Sequence, residues 1–145
     1  VTEEALSLQS SKANATIATY NLGSYHLEAG DLERAREWLE RAVAVTFELG
    51  FKEVMAYALA AFVRVCLLEG DLPRAAYLAG IADRLLVDAG VQLQHSEGAP
   101  FEAAKAAVEQ ELGDDYAAAH DAAFAAPLED ALRQGNVLAE APSGT

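Results

Sequence analysis

The sequence predicts an all-α fold built from tandem antiparallel helix pairs, and three observations carry the prediction. Gly30-Asp31-Leu32-Glu33-Arg34-Ala35 returns further along the chain as Gly70-Asp71-Leu72-Pro73-Arg74-Ala75. Glycines stand at Gly30, Gly50, Gly70 and Gly90, evenly spaced. Between them apolar residues recur at three- and four-residue steps, the period of a helix with one buried face. A glycine closes a helix in the left-handed conformation without a Cβ clash. The Asp that follows can accept from the free N–H groups of the next helix. A self-similar period of this length marks a repeat architecture.

The first helix is expected from residue 3 to about 29, with Leu6, Ala13, Ile17, Tyr20 and Leu27 on its apolar side. Its first half, Ser7 to Lys12, is more polar and is expected to fray or to lack a neighbour. The second, Asp31 to Leu49, has the clearest amphipathic pattern: Leu32, Ala35, Leu39, Ala42 and Val43 form one stripe, and most charges lie away from it. The third, about Lys52 to Glu69, is apolar nearly all round, from Val54 and Met55 to Val65 and Leu67. Such a helix belongs in the middle of the array. The fourth, about Asp71 to Ala89, carries Pro73 in its first turn, where the missing N–H is harmless.

After Gly90 the punctuation fails, and residues 91–100 are expected to form a longer loop. A fifth helix follows at about Phe101 to Leu112, then a short alanine-rich sixth at Asp114 to Ala125, capped by Asp114 or Asp115. Pro127 opens a seventh segment, Leu128 to Gln134, beyond which Val137 and Leu138 can pack back on the array. The expected organisation is one domain over residues 1–140, with repeats at about 13–50 and 51–90 and a degenerate repeat and cap at 98–140. Residues 141–145 are expected to be disordered.

Composition narrows the function classes. A hydrophobic share of 52% is too high for a disordered chain. The net charge is −13, and residues 97–145 hold ten acids against Lys105 and Arg133. A surface of that sign repels phosphate, so direct contact with nucleic acid or an anionic membrane is not expected. The single cysteine, Cys66, excludes an internal disulfide and lies in an apolar run as a small buried residue. No apolar stretch reaches the length needed to span a bilayer, and no basic region followed by an apolar one opens the chain. A cytoplasmic setting is expected, and the start at Val1 suggests an excised fragment.

Asn21-Leu22-Gly23, then Gly30-Asp31-Leu32, Ala35, Leu39 and Ala42, resemble the tetratricopeptide repeat (TPR) in their spacing. The second unit keeps Gly70, Ala75 and Ala82 but has Val63 where the first has Gly23; the third keeps little beyond Gly113 and Ala118. The period from Gly30 to Gly70 exceeds the usual one of about 34 residues, so each helix is about a turn longer. The resemblance implies a TPR-like right-handed α-α superhelix with a C-terminal capping helix. The long repeat is further similar to the C-terminal helical-repeat arms of large bacterial transcription regulators of the LuxR and maltose-activator type. The chain departs from those arms at His120 and Ala123, where they would carry a tryptophan and a glycine.

No constellation for catalysis is legible. His26, His95 and His120 are scattered, and none has a second ligand at helical spacing, so neither metal nor cofactor is expected. His26 stands at a position usually aromatic in this repeat and is expected in the core; His120, beside Asp121, is expected in solvent. Asp114-Asp115 reads as a helix start rather than a metal pair. What remains is a surface. In an array of helix pairs the first helices line the concave face, where partners usually lie. By the resemblance, Asn21 matches the position that holds an extended ligand's backbone, and Ser24, Tyr57 and Arg64 are similarly placed. Arg64 can instead pair with Glu28 or Glu69. The expected function is a non-catalytic protein-interaction or effector-sensing domain in a bacterial regulator, whose partner is a protein, a peptide or the regulator's attached domains. The alternative is a free-standing scaffold that binds a peptide in its groove.

Overall fold

A computed structural model describes residues 2–138, apart from the side chain of Gln9. The end of the expected domain at residue 140 and the expected disordered tail, residues 141–145, lie outside the described residues. Seven helices make up the described chain: α1 (Glu3–Glu28), α2 (Leu32–Leu49), α3 (Lys52–Glu69), α4 (Leu72–Ala89), α5 (His95–Leu112), α6 (Asp114–Ala125) and α7 (Leu128–Gln134). No strand occurs among the described residues.

The glycine punctuation works as its chemistry requires. Gly70 has φ 83°, its N–H donates to the Leu67 carbonyl, and the Asp71 N–H reaches back to Cys66 O at 2.9 Å. That pair of bonds satisfies the last carbonyls of α3, and the positive φ excludes a side chain with Cβ without strain. Asp71 then accepts the Arg74 N–H at 3.3 Å and opens α4, as Asp31 accepts the Arg34 N–H at 3.2 Å and opens α2. Two- and three-residue turns therefore fold α1–α2 and α3–α4 into hairpins.

α3 occupies the centre, packed against α1, α2, α4 and α5. Met55, Leu59, Phe62, Val63, Val65 and Cys66 are all at most 1% exposed, which follows from a helix apolar on every side. The α1–α2 crossing depends on a missing side chain. A Cβ at Gly23 would stand 2.7 Å from Leu39 Cγ, closer than van der Waals contact allows. Thr46, the polar residue buried on α2, donates its hydroxyl to Ala42 O at 2.6 Å and leaves no orphan group.

The third hairpin departs from the expectation in two places. α5 starts at His95, six residues before the expected Phe101, so the loop is short. Pro100 lies inside it, and the helix still forms because Leu93 and Phe101 pack on the core and the start is anchored at Gln94. α6 is not capped by Asp114 or Asp115. Gly113 is its N-cap, at φ 58°, and no side chain bonds the first N–H groups; the two acids stand in the first turn instead. α6 packs chiefly on α4. The approach is close because Gly80 of α4 faces the α6 backbone, where a Cβ would meet the His120 carbonyl oxygen at 2.2 Å.

The segment after α7 folds back. Val137 is 3% exposed and Leu138 packs on the core beside it. Arg74 holds the segment, donating to Gly135 O at 3.0 Å and Asn136 O at 2.9 Å while its guanidinium lies over Phe62.

Candidate interaction surface

One side of α1 and one side of α3 carry the four residues singled out from the sequence. On α1, Ile17, Asn21, Ser24 and Glu28 recur at three- and four-residue steps, and one repeat on they become Tyr57, Ala61, Arg64 and Leu68 of α3. α1 and α3 pack side by side, and α5 follows beside α3, so the first helices form one continuous face.

Asn21 is exposed and engaged in no side-chain hydrogen bond among the described residues. Ser24 is half-buried beside Tyr20. Tyr57 is half-buried, meets the Tyr20 ring edge-on at 5.9 Å, and accepts the Gln94 N–H at 3.0 Å through its hydroxyl. Arg64 donates to Glu28 Oε1 at 3.0 Å, one of the two acids expected for it; Glu69, the other, is taken by Arg36. Tyr57 thus ties the start of α5 to α3, and Arg64 ties α3 to the end of α1. Burial pushes the Tyr20 phenol up to about 12, and Glu97 adds to this against the Ser24 hydrogen bond and the Arg64 charge. Tyr20 therefore stays a neutral hydrogen-bonding group at the floor of the face. The exposed part offers an amide at Asn21, a carboxylate at Glu28 and apolar patches at Ile17 and Leu68, which are 44% and 62% exposed.

Sequence reading missed a second cluster, at the α4–α5–α6 junction. Asp83 of α4 accepts from Lys105 Nζ at 3.0 Å and meets His120 Nε2 at 2.7 Å. The other ring nitrogen of His120 faces Asp121 at 3.0 Å, and the ring stacks between Tyr116 and Phe124. The expectation of a solvated His120 is corrected: its side chain is only 18% exposed, because α6 presses it onto Asp83. Both nitrogens can donate to their carboxylates only in the doubly protonated ring. Burial acts to lower the Lys105 pKa, but the hydrogen bonds it donates to Glu102 and Asp83 outweigh this and hold the ammonium above its ordinary value. No short spacing announces this cluster, since its members lie 22 and 37 residues from Asp83. Beside it a shallow cleft of about 840 Å³ opens between the end of α4 and the start of α5, lined by Leu86, Val91, Leu93 and Phe101 with Asp83 and Lys105 at one end.

The Cys66 thiol is fully buried, and burial pushes its pKa up to about 12, so at neutral pH it is a protonated packing group and a poor nucleophile. His26 is half-buried against the Tyr25 ring rather than deep in the core, because its side of α1 has no helix over it. Among the described residues no group of three or more His, Cys, Asp or Glu side chains is placed to hold a metal ion. No described helix is long and apolar enough to cross a membrane. Comparison with family models, with curated proteins and with solved structures returned no significant match to this chain.

Proposed function

We propose that the chain is a non-catalytic, TPR-like protein-interaction or effector-sensing domain, and that it serves as the C-terminal helical-repeat arm of a larger bacterial transcription regulator. The observation that carries the reading is the repeated row on α1 and α3, which presents an unengaged Asn21 in one row with exposed apolar Ile17, and exposed Leu68 in the matching row of α3. A free side-chain amide can both donate to and accept from the backbone of an extended peptide. Apolar neighbours supply contact area, and Tyr20, Tyr57 and the Arg64–Glu28 pair hold the face rigid. The mechanism is differential binding: an occupant that prefers one arrangement of the hairpins biases the attached domains by its difference in affinity.

Two measurements test the reading. Asn21→Ala is expected to weaken capture of the native partner about tenfold, a loss of ~1.4 kcal/mol, while the thermal midpoint stays unchanged. Undiminished capture would remove Asn21 from the ligand face. An immunoblot of source-cell lysate is expected to show the segment in a polypeptide several times the mass of this chain. A band at the mass of this chain alone would replace the regulator arm with a free-standing scaffold.

A further inference from the structure

We infer that the ligand face takes a peptide bearing a lysine or arginine, and that this cation seats against Glu97. The inference rests on the reading of α1 and α3 as a ligand face, and adds the charge that the face selects.

Glu97 stands in the first turn of α5, just after Gln94, whose N–H is held by the Tyr57 hydroxyl. That tie brings the carboxylate to the Tyr20 and Tyr57 part of the face, where it acts on the Tyr20 phenol. Glu97 is half-buried, accepts from the neighbouring Ser96 hydroxyl, and is in no ion pair among the described residues. An acid suits the start of α5, which has no side-chain cap. That accounts for the charge and leaves it without a counter-ion. A half-buried carboxylate has lost part of its water, so a cation from outside gains more there than on open surface.

The other charges of the face do not supply that cation. Arg64 also acts on Tyr20, but its guanidinium is paired with Glu28 on the α1 side. Glu53, one turn before Tyr57 on α3, is exposed and in no ion pair among the described residues. The carboxylates of Glu28, Glu53 and Glu97 thus stand against one guanidinium, on a chain that carries −13. An acidic peptide would meet this excess as like charge, and a basic one meets its complement. Lysine and arginine fit for a second reason. Their aliphatic stems can lie on the half-buried Tyr57 ring while the charged end reaches Glu97. Asn21 is on α1 and Glu97 on α5, and both helices pack against α3, so an extended peptide that crosses α3 can engage both.

The test is selection of immobilised random-sequence peptides with the labelled chain, at an ionic strength of about 0.15 M to screen long-range attraction. The recovered peptides are expected to be enriched in Lys and Arg at one position. Replacing that residue by norleucine should weaken binding about tenfold. Glu97→Gln keeps the size of the side chain, and should bring the basic peptide level with its norleucine form. Glu33→Gln, the same change of charge on exposed α2 surface, is expected to leave binding unchanged. Both variants should keep the parent's helical CD and thermal midpoint. The norleucine comparison uses the unaltered chain, so it decides the charge preference even where α5 loosens in the variant. Peptides that Asn21→Ala weakens but that show no basic preference overturn the inference and leave the ligand face standing. A basic preference that survives Glu97→Gln in a folded chain does the same. Recovery of no peptide, or only of peptides indifferent to Asn21→Ala, overturns the ligand face and the inference together.

Discussion

Gly80 shows how one absent side chain can set the position of a helix. With only hydrogen on its Cα, α4 lets the α6 backbone approach at His120 and Ala123, where a Cβ would come within 2.2 and 3.0 Å. That approach brings His120 to Asp83 and places the Phe124 carbonyl within 2.6 Å of Arg84 Nη1. The obstacle is backbone, which cannot swing aside as the end of a side chain can. Gly80→Ala is therefore expected to destabilise by about 1–3 kcal/mol despite the better helix propensity of alanine. Its cost should appear in the denaturation midpoint and in a changed Tyr116 environment. A neutral or stabilising result would mean that α6 shifts along α4 freely. The regulator arms that the sequence resembles would carry a glycine on the other side of this contact, at Ala123; here the bare position is Gly80 of α4.

Helices differ in how much covers them, and so in how readily they open. α3 is enclosed by four neighbours, whereas the first half of α1, from Glu3 to Ala15, has no buried side chain among those described. Local opening free energy follows buried apolar contact, from near zero at uncovered ends up to the global value in the core. Amides of residues 5–12 are expected to exchange with deuterium within seconds to minutes at neutral pH, and those of Leu59 to Cys66 only through global unfolding. Equal protection of the two stretches would show that the first half of α1 is covered in solution. The expected weakness of this first half was legible in Ser7 to Lys12, whose polar residues give a core little to bury. The early start of α5 was not legible. Pro100 argues locally against helix, and what offsets it, the Tyr57 hydroxyl at the Gln94 N–H, comes from 37 residues away.

For the molecule as a whole, the buried protons all act in one direction. The Cys66 thiol, ordinarily near 9.0, and the Tyr20 and Tyr116 phenols, ordinarily near 10.0, are each pushed to about 12 in the folded chain, mainly by burial. The unfolded chain gives up these protons first, so stability is full at neutral pH and falls as pH rises from 9 toward 12. Lys105, lowered by burial but raised further by its two carboxylates, adds a contribution that is present below its ordinary 10.5 and lost above it. Denaturant titrations are expected to lose on the order of 2 kcal/mol by pH 11 from the thiol alone, at ~1.4 kcal/mol per pH unit. In Cys66→Ala the drop between pH 9 and 10 should flatten. An unchanged drop would assign it to other groups.

The sequence by itself determined the order of the helices, the first two hairpin turns and the place of α3, but not the start of α5. These follow from interactions within a few residues of each other: left-handed glycines, Asp caps and an apolar period that repeats every turn. Its resemblance to the tetratricopeptide repeat also marked Asn21, Ser24, Tyr57 and Arg64 as candidates, and Ser24 and Arg64 stand at the same place in successive repeats. Only the tertiary structure decided which of them is engaged and which is open. Arg64 has Glu28 and Tyr57 has Gln94, while Asn21 stays unengaged, because what packs beside a residue depends on elements far away in the chain. The Asp83–Lys105–His120 cluster belongs to the same category. Its members carry no mutual spacing signal, and they meet because Gly80 lets α6 descend onto α4.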